Sequence, residues 1–219
     1  ADLMPALWQG ALLLAAGLVV AWVHVRRQWR QSQPLLPLDL LRIPLFRLSM
    51  MTSVGSFAAQ TMAYVVLPFL LLDVWHVAPA QAGLFMACWP AGTFVASLAG
   101  RWIGRYHNGW LGAVGLSCKT LGLATLAYAA WALPPTPAVA LSLLLCGIGF
   151  GLFQSPNNHT IITSAPLPRA AAAGGMLATA RLVGQTLGAT LVALVFAAQG
   201  KTSAQALAVA LGLAAALSA

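Results

Sequence analysis

Seven long apolar stretches, separated by short polar segments, run through the sequence. Six of them reach the length of about 20 residues that an α-helix needs to cross a hydrocarbon core about 30 Å thick. The pattern predicts an all-α, polytopic transmembrane protein. The stretches run roughly from Pro5 to Val25, Leu45 to Leu72, Gly83 to Ile103, Leu111 to Leu133, Val139 to Thr163, Gly174 to Ala198 and Gln205 to Ala219.

The composition supports a membrane protein independently of those boundaries. Apolar residues make up 60% of the chain and charged residues 6%, whereas a soluble domain carries about 25% charged residues. The formal charge of +8 could indicate nucleic-acid binding, but the basic residues lie at the ends of the stretches and form no stripe with aromatic residues. We therefore expect a lipid bilayer around the protein and no nucleic-acid partner.

The positions of the arginines predict which loops face the cytoplasm. Arginines follow the first, third and fifth stretches, whereas the loops after the second and fourth carry no Arg or Lys. Lys201, after the sixth stretch, departs from the alternation. By the positive-inside rule, we expect the Arg-bearing loops of this multi-pass protein in the cytoplasm and its N-terminus outside.

The two ends of the chain predict a piece of a longer membrane protein. The last stretch has 15 residues and would reach only about 22 Å as a helix, so we expect this helix to be truncated. The chain begins with Ala1, and its first arginines follow the first apolar stretch. That order is wrong for a signal peptide.

Polar residues recur along one face of the second stretch, at steps of three and four residues. A helix in lipid does not turn such a face outward, because unsatisfied polar groups are costly in hydrocarbon. For the serines, contacts between helices and the lining of a cavity are both open, whereas the large amide of Gln60 favours a cavity. The face comprises Ser49, Ser53, Ser56, Gln60 and Tyr64.

The fifth stretch ends in an unusual segment. Three alternating glycines, Gly147, Gly149 and Gly151, allow another backbone to approach closely. Pro156 frees the carbonyl four residues before it, and polar side chains surround it. One interpretation is a helix end softened by proline at the cytoplasmic interface. The other, which we favour for Gln154 and Asn157, is a functional cavity.

Two cations lie deeper inside their stretches than a loop position would put them, Lys119 in the fourth and Arg181 in the sixth. At about 10 to 12 Å from the cytoplasmic end, either side chain could snorkel back to the headgroups. We favour snorkelling for Lys119. For Arg181 the alternative is contact with carbonyl groups, with the cluster from Gln154 to Asn158 or with a substrate.

No arrangement for catalysis or metal binding is present in the sequence. The three acidic residues, Asp2, Asp39 and Asp73, lie outside the centres of the stretches, so no carboxylate pair is available for acid and base chemistry. The three cysteines lie in three different stretches without metal-ligand spacing. We predict that the chain is not an enzyme and holds no cofactor and no metal.

Four segments of the sequence form a recognisable set. The most specific is Gly147-Ile-Gly-Phe-Gly-Leu-Phe-Gln-Ser-Pro-Asn-Asn158. The others are Pro34-Leu-Leu-Pro-Leu-Asp-Leu-Leu-Arg-Ile-Pro-Leu-Phe-Arg47, Gln81-Ala-Gly83, and Ala178-Thr-Ala-Arg-Leu-Val-Gly-Gln-Thr-Leu-Gly188. Together they resemble the C-terminal half of the fourteen-span drug:proton antiporters of the major facilitator superfamily, of the EmrB/QacA type.

This resemblance implies three parts. Residues 1–25 form a single transmembrane helix, the second of two inserted spans, and residues 26–44 form a cytoplasmic linker. Residues 45–219 form the C-terminal six-helix bundle of a major facilitator fold, with its last span incomplete. Such bundles contain two inverted three-helix units, which pairs the second stretch with the fifth.

The resemblance also implies the roles of particular residues. The segment from Gly100 to Arg105 is similar to a cytoplasmic loop motif of the superfamily, but Gly104 stands where that motif has an acid. The expected residues of the substrate cavity are Gln60, Tyr64, Gln154, Asn157, Asn158 and Arg181. Those expected in gating or helix packing are Pro68, Gly100, Arg105, Gly147, Gly149, Gly151 and Pro156.

The function that the resemblance implies is secondary active transport: proton-coupled efflux of drugs or other hydrophobic or cationic compounds across the inner membrane by alternating access. The partners are then a small-molecule substrate, protons, the lipid bilayer and the missing N-terminal half, which carries the antiporter motif of the family. One alternative is a truncated remnant or interaction module that does not transport. Another is a transporter of an anionic metabolite, suggested by Lys119 and Arg181 in stretches without acids.

Overall fold

A computed structural model describes residues 37–98, 107–132, 137–199 and 203–219, together with the helical positions 12, 15–17, 19, 20, 22, 23 and 26. Within these residues the protein is all helix and turn, with no strand, as the sequence predicts. Most of the predicted first span and of the linker lies outside the described residues, as do Gly100 and Arg105.

Six helices form the bundle. They are α1 (Pro44–Phe69), α2 (Pro79–Ser97), α3 (Asn108–Ala132), α4 (Pro137–Ser164), α5 (Ala170–Gln199) and α6 (Ala204–Ser218). A five-residue π-helix, Leu70–Val74, continues α1, and 3-10 turns at Leu38–Arg42 and Leu167–Arg169 precede α1 and α5. Pro44 and Pro79 begin their helices, where a proline loses no hydrogen bond, so α2 starts four residues before the predicted stretch.

Four of the described helical segments are long and apolar enough to cross a membrane: Pro44–Val74, Asn108–Trp131, Pro137–Ser164 and Leu167–Gln199. The helix α6 is a shorter apolar helix of 15 residues, as the sequence predicts. The described part of α2 has 19 residues and is not among the four, because Gln81 and two prolines lower its hydropathy.

The helices pack as two interlocked units of three, α1–α3 and α4–α6. The middle helix of each unit packs against the first helix of the other, α2 against α4 and α5 against α1. The last helices, α3 and α6, contact each other, and each also packs against the first helix of the opposite unit. Exchanging the units therefore reproduces the pattern of contacts, which is the arrangement expected of an internal repeat.

The glycines of α4 permit these close contacts. A Cβ atom on Gly147 would overlap the carbonyl oxygen of Trp89 in α2, and one on Gly151 would lie 2.7 Å from the Cβ atom of Ala96. On another side of α4, a Cβ atom on Gly149 would lie 2.5 Å from the carbonyl oxygen of Gly115 in α3. The alternation of glycines thus lets one helix approach two neighbours at backbone distance.

The two helix prolines have different surroundings. Pro156 is buried and α4 continues through it to Ser164, with the Thr160 hydroxyl donating to the Pro156 carbonyl at 2.9 Å. Pro68 is half-buried near the end of α1, directly before the π-helix. A proline removes one backbone donor, which fits a local change of helix type at this place.

Candidate substrate cavity

An aromatic pair stands at the contact between α1 and α4. The rings of Phe57 and Phe150 meet edge to face with their centroids 5.6 Å apart. A cation lies over each ring: the Lys119 ammonium is 5.3 Å from the centroid of Phe150, and the Arg181 guanidinium is 4.9 Å from that of Phe57. These four side chains form a continuous row that joins α3, α4, α1 and α5. Cation–π attraction stabilises the row at both of its ends.

The serines of α1 hold helices together. Ser49, Ser53 and Ser56 are buried, and the Asn157 amide of α4 donates to the Ser53 hydroxyl at 2.7 Å and to the Ser49 carbonyl at 3.3 Å. Of the two alternatives open from the sequence, these bonds favour contact between helices for the serines. Asn157 has a structural partner here, and its contact with substrate stays a prediction.

Lys119 does not snorkel toward the headgroups. Its side chain is fully buried, and its ammonium donates to the carbonyl and hydroxyl oxygens of Ser56 at 2.6 and 2.8 Å. The snorkelling interpretation of Lys119 is therefore wrong. Its acceptors come from α1, 63 residues away, and the sequence contains no signal that pairs them.

Gln60 and Tyr64 continue the serine face toward the other end of α1. Both are half-buried, and the Tyr64 ring packs against the Trp89 ring of α2 with centroids 5.2 Å apart. The indole nitrogen of Trp89 is buried and has no hydrogen-bond acceptor within the described residues. Trp89 is not among the residues that the sequence predicts for the substrate cavity.

Gln154 and Asn158 lie on the stripe of α4 that includes Gly147 and Gly151, at steps of three and four residues. The glycines of this stripe contact α2, and the two amides lie further along α4, toward its C-terminal end. Both amides are half-buried and make no hydrogen bond to any residue that the structure describes.

Arg181 is exposed on α5, and its contact within the described residues is the Phe57 ring. Of the alternatives for this side chain, neither a carbonyl partner nor a bond to the Gln154–Asn158 segment is present among the described residues. The guanidinium keeps its donors available on a face of α5 that is largely uncovered.

A cavity of about 580 Å³ opens between α1, α3 and α4, at the end of the bundle that the arginine pattern assigns to the cytoplasm. Its polar lining includes Ser49, Thr52, Asn108, Asn157 and Thr160. The Asn108 amide contacts the Thr160 hydroxyl at 3.3 Å and the Nδ1 atom of His159 at 3.2 Å at its rim. Of the six residues predicted for the substrate cavity, Asn157 is the one that lines this space.

Long apolar helices in two interlocked units of three, with polar side chains at buried and half-buried positions, define an all-α bundle of a polytopic membrane protein. The chain belongs to the Major Facilitator Superfamily, whose sequence profile matches residues 5–189.

The chain is also similar to curated proteins that are named as transporters or efflux pumps. The chain is 53% identical over 194 residues to the uncharacterized transporter YebQ of Escherichia coli K12, which covers 85% of this chain and 42% of that protein. It is 32% identical over 189 residues to the drug efflux pump JefA of Mycobacterium tuberculosis, covering 86% of this chain and 37% of that one. It is 25% identical over 181 residues to the riboflavin transporter RibZ of Clostridioides difficile, covering 82% and 40%.

The chain therefore spans about two fifths of the length of the curated relatives it matches. No solved structure matches the chain significantly. The family and the names of these relatives are those of transporters rather than enzymes.

Proposed function

We propose that the protein is a secondary active transporter that exports drugs or other hydrophobic or cationic compounds across the inner membrane in exchange for protons. The observation that carries the proposal is that three polar side chains of the helices, Gln154, Asn158 and Arg181, make no hydrogen bond within the described residues, and that the described contact of Arg181 is the Phe57 ring. Such groups are costly against lipid, so they favour a water-filled cavity between this bundle and a second one.

The relatives support the same proposal. JefA is a drug efflux pump, and a multidrug resistance protein of M. tuberculosis, Stp, is 27% identical over 191 residues. Because the chain covers 37% and 35% of these two proteins, the transport activity belongs to a protein with a further half. That half is the proposed partner around the central cavity, and rocking of the two bundles would alternate access.

The proposed contacts with substrate are made by six residues: Gln60, Tyr64, Gln154, Asn157, Asn158 and Arg181. The aromatic pair Phe57–Phe150 lies within about one helical turn of Gln60 and Gln154, and Arg181 stands on one of its rings. Aromatic rings next to amide groups suit hydrophobic compounds, because the rings offer apolar contact area and the amides donate and accept hydrogen bonds. The gating role of Gly100 and Arg105 stays part of the proposal.

Transport of an anionic metabolite is the second candidate. Arg181 favours it, since this cation is exposed and has no carboxylate partner within the described residues. Lys119 adds nothing to it, because its ammonium is buried and already has two acceptors. Loss of anion uptake or export on Arg181→Ala, in a protein that never exports cations, would favour this candidate.

An efflux assay tests the proposal. The whole protein is expressed in cells lacking their own efflux pumps, and ethidium export is followed with and without a protonophore. We expect export that the protonophore abolishes and that Gln154→Ala with Asn158→Ala removes at unchanged abundance. Gln205→Ala, the same change of side chain at an exposed position of α6, is the matched control and should leave export intact. Export that survives the double substitution would make those amides structural.

A further inference from the structure

Lys119 is a fully buried basic group in the middle of a helix bundle, and the described part of the chain places no counter-ion beside it. Its ammonium contacts the Ser56 oxygens and the Phe150 ring, and no carboxylate lies within ion-pair distance in the described residues. The described acids lie elsewhere: Asp39 pairs with Arg169, and Asp73 is exposed in the π-helix after α1. A lone charge at such a place is costly and marks proton or ion pathways in membrane proteins.

The surroundings of Lys119 suit both protonation states of its side chain. An ammonium donates to the carbonyl and hydroxyl oxygens of Ser56 and is attracted by the ring face of Phe150. A neutral amine still donates to the carbonyl, and its lone pair can accept from the Ser56 hydroxyl, because a hydroxyl both donates and accepts. The contact between α3 and α1 can therefore persist while the proton is gained or lost.

A polar track links Lys119 with the cavity between α1, α3 and α4. Ser49, Thr52, Leu116 and Asn157 line the cavity. Leu116 precedes Lys119 by about one helical turn, and the Asn157 amide donates to the hydroxyl of Ser53, which precedes Ser56 by one turn. The cavity lining thus comes within about one helical turn of Lys119 along α3, and the Asn157–Ser53 bond within one turn of Ser56 along α1.

The charged and titratable groups on the neighbouring helices decide whether another residue could carry the proton instead of Lys119. On α4, the Cys146 thiol donates to the Lys119 carbonyl at 3.7 Å and is the titratable group in contact with this residue. On α6, Ser218 bonds to Thr120 at 3.0 Å and brings no charge. On α5, Arg181 is the facing cation, and the rings of Phe57 and Phe150 separate it from Lys119.

We propose that Lys119 is a proton-binding residue of the transporter, reached from the α1–α3–α4 cavity along Asn157, Ser53 and Ser56. In this step an Nζ–H bond breaks, the proton passes to water in the cavity, and the electron pair stays on Nζ as a neutral amine. Binding of another proton regenerates the ammonium. Release toward the end predicted to be cytoplasmic is the direction in which an inward proton gradient drives export. The inference rests on the proton coupling proposed above.

The test is proton release on substrate binding. The purified whole transporter in weakly buffered detergent is mixed with ethidium, and a pH-indicator dye reports the protons released. We expect release from the wild type and none from Lys119→Gln or Lys119→Arg, with ethidium binding kept in all three. The arginine variant is decisive, because a guanidinium keeps the charge and the hydrogen bonds but does not release its proton. Rescue by arginine would therefore overturn the inference and make Lys119 a structural cation.

Two further variants keep the test valid if those at position 119 fail to fold. Ser56→Ala removes the hydroxyl that accepts or donates and should slow proton release in a stopped-flow measurement, whereas release at the wild-type rate would overturn the inference. Lys201→Gln changes the other lysine of the chain and should release protons as the wild type does. A wild type that binds ethidium without releasing protons would overturn the proton coupling itself, whereas release that persists in all variants at position 119 would overturn the role of Lys119 alone.

Discussion

At the scale of single residues, the polar side chains of the helices divide by whether they have a partner. Asn157 and Asn158 are neighbours in the sequence, yet Asn157 bonds to Ser49 and Ser53 of α1, whereas Asn158 has no partner within the described residues. In a helix, adjacent side chains point about 100° apart, so one amide can hold two helices together while the next faces a different space.

We expect this difference to separate stability from transport. Asn157→Ala removes two bonds between helices and should lower the free energy of unfolding by about 0.6 to 1.7 kcal/mol, the range of such bonds in membranes. Asn158→Ala is the matched control and should leave unfolding unchanged while it weakens ethidium binding. Unfolding of both variants by detergent titration measures the first effect. Equal loss of stability in the two would contradict the assignment.

The predicted and observed contacts of the polar residues show how far the sequence predicts the site. Periodicity places Ser49, Ser53 and Ser56 on one face of α1, and the structure keeps that face together. Which residues this face contacts depends on the rotation of α3 and α4 about their axes. No local sequence pattern predicts that rotation. Lys119 illustrates the consequence: its depth is compatible with snorkelling, but its direction depends on Ser56, far away in the sequence.

At the scale of the helices, α4 holds the bundle together through its glycines. Gly147 and Gly151 face α2, and Gly149 faces α3, at distances that leave no room for a side chain. In lipid, where apolar contact alone gives little attraction between helices, close backbone approach supplies much of the packing energy. The alternation of the three glycines could be read from the sequence, but which neighbour each one meets could not.

Gly149→Ala should destabilise the bundle by about 1 to 3 kcal/mol, because the new methyl group would press on the backbone of Gly115 and Lys119 and force the helices apart. Gly174→Ala, in α5, has no atom within 4 Å of its added methyl group and should not destabilise the bundle. The difference in melting temperature between the two variants measures the effect. A Gly149→Ala variant as stable as the control would contradict the close α3–α4 contact.

An ion pair joins the turn before α1 to the turn before α5. The Arg169 guanidinium donates to both carboxylate oxygens of Asp39, with the Nη2–Oδ1 bond at 3.0 Å. These hydrogen bonds to Arg169 lower the pKa of Asp39. A lowered pKa in the folded state means that the pair stabilises the protein above the ordinary pKa of aspartate, about 3.9, and loses this effect as the pH falls through the lower folded value.

Asp39→Asn should therefore lower the melting temperature slightly at pH 7, and the difference from the wild type should shrink as the pH is taken below about 3.9. Because both partners are partly exposed, high salt should also reduce the difference. Melting curves of the two proteins at several pH values and salt concentrations check this. A difference that persists at the lowest pH would assign the effect to something other than the ion pair.

At the scale of the whole molecule, the bundle is built from two interlocked three-helix units. The sequence predicts the helices and the pairing of α1 with α4, since hydropathy marks the spans and the family resemblance implies the repeat. It does not predict that α6 contacts both α1 and α3, because its even apolar surface carries no pattern that selects a neighbour.

The arginine pattern predicts the orientation of the whole bundle, and cysteine labelling tests it. In a variant without Cys88, Cys118 and Cys146, single cysteines are introduced at His76, after the π-helix, and at Leu167, before α5, both exposed. We expect a membrane-impermeant maleimide to label His76→Cys in intact cells and Leu167→Cys only after permeabilisation. The reverse pattern would place the arginine loops outside and contradict the predicted topology.

We propose that this bundle is half of a proton-driven exporter. Ethidium transport in proteoliposomes tests that proposal most directly. The whole protein is reconstituted, a pH gradient is imposed in either direction, and ethidium movement is followed by fluorescence. We predict that ethidium moves against the flow of protons, reverses when the gradient is reversed, and stops when the gradient is dissipated. Ethidium movement that ignores the gradient, or none at all in protein that is folded and correctly inserted, would contradict the account.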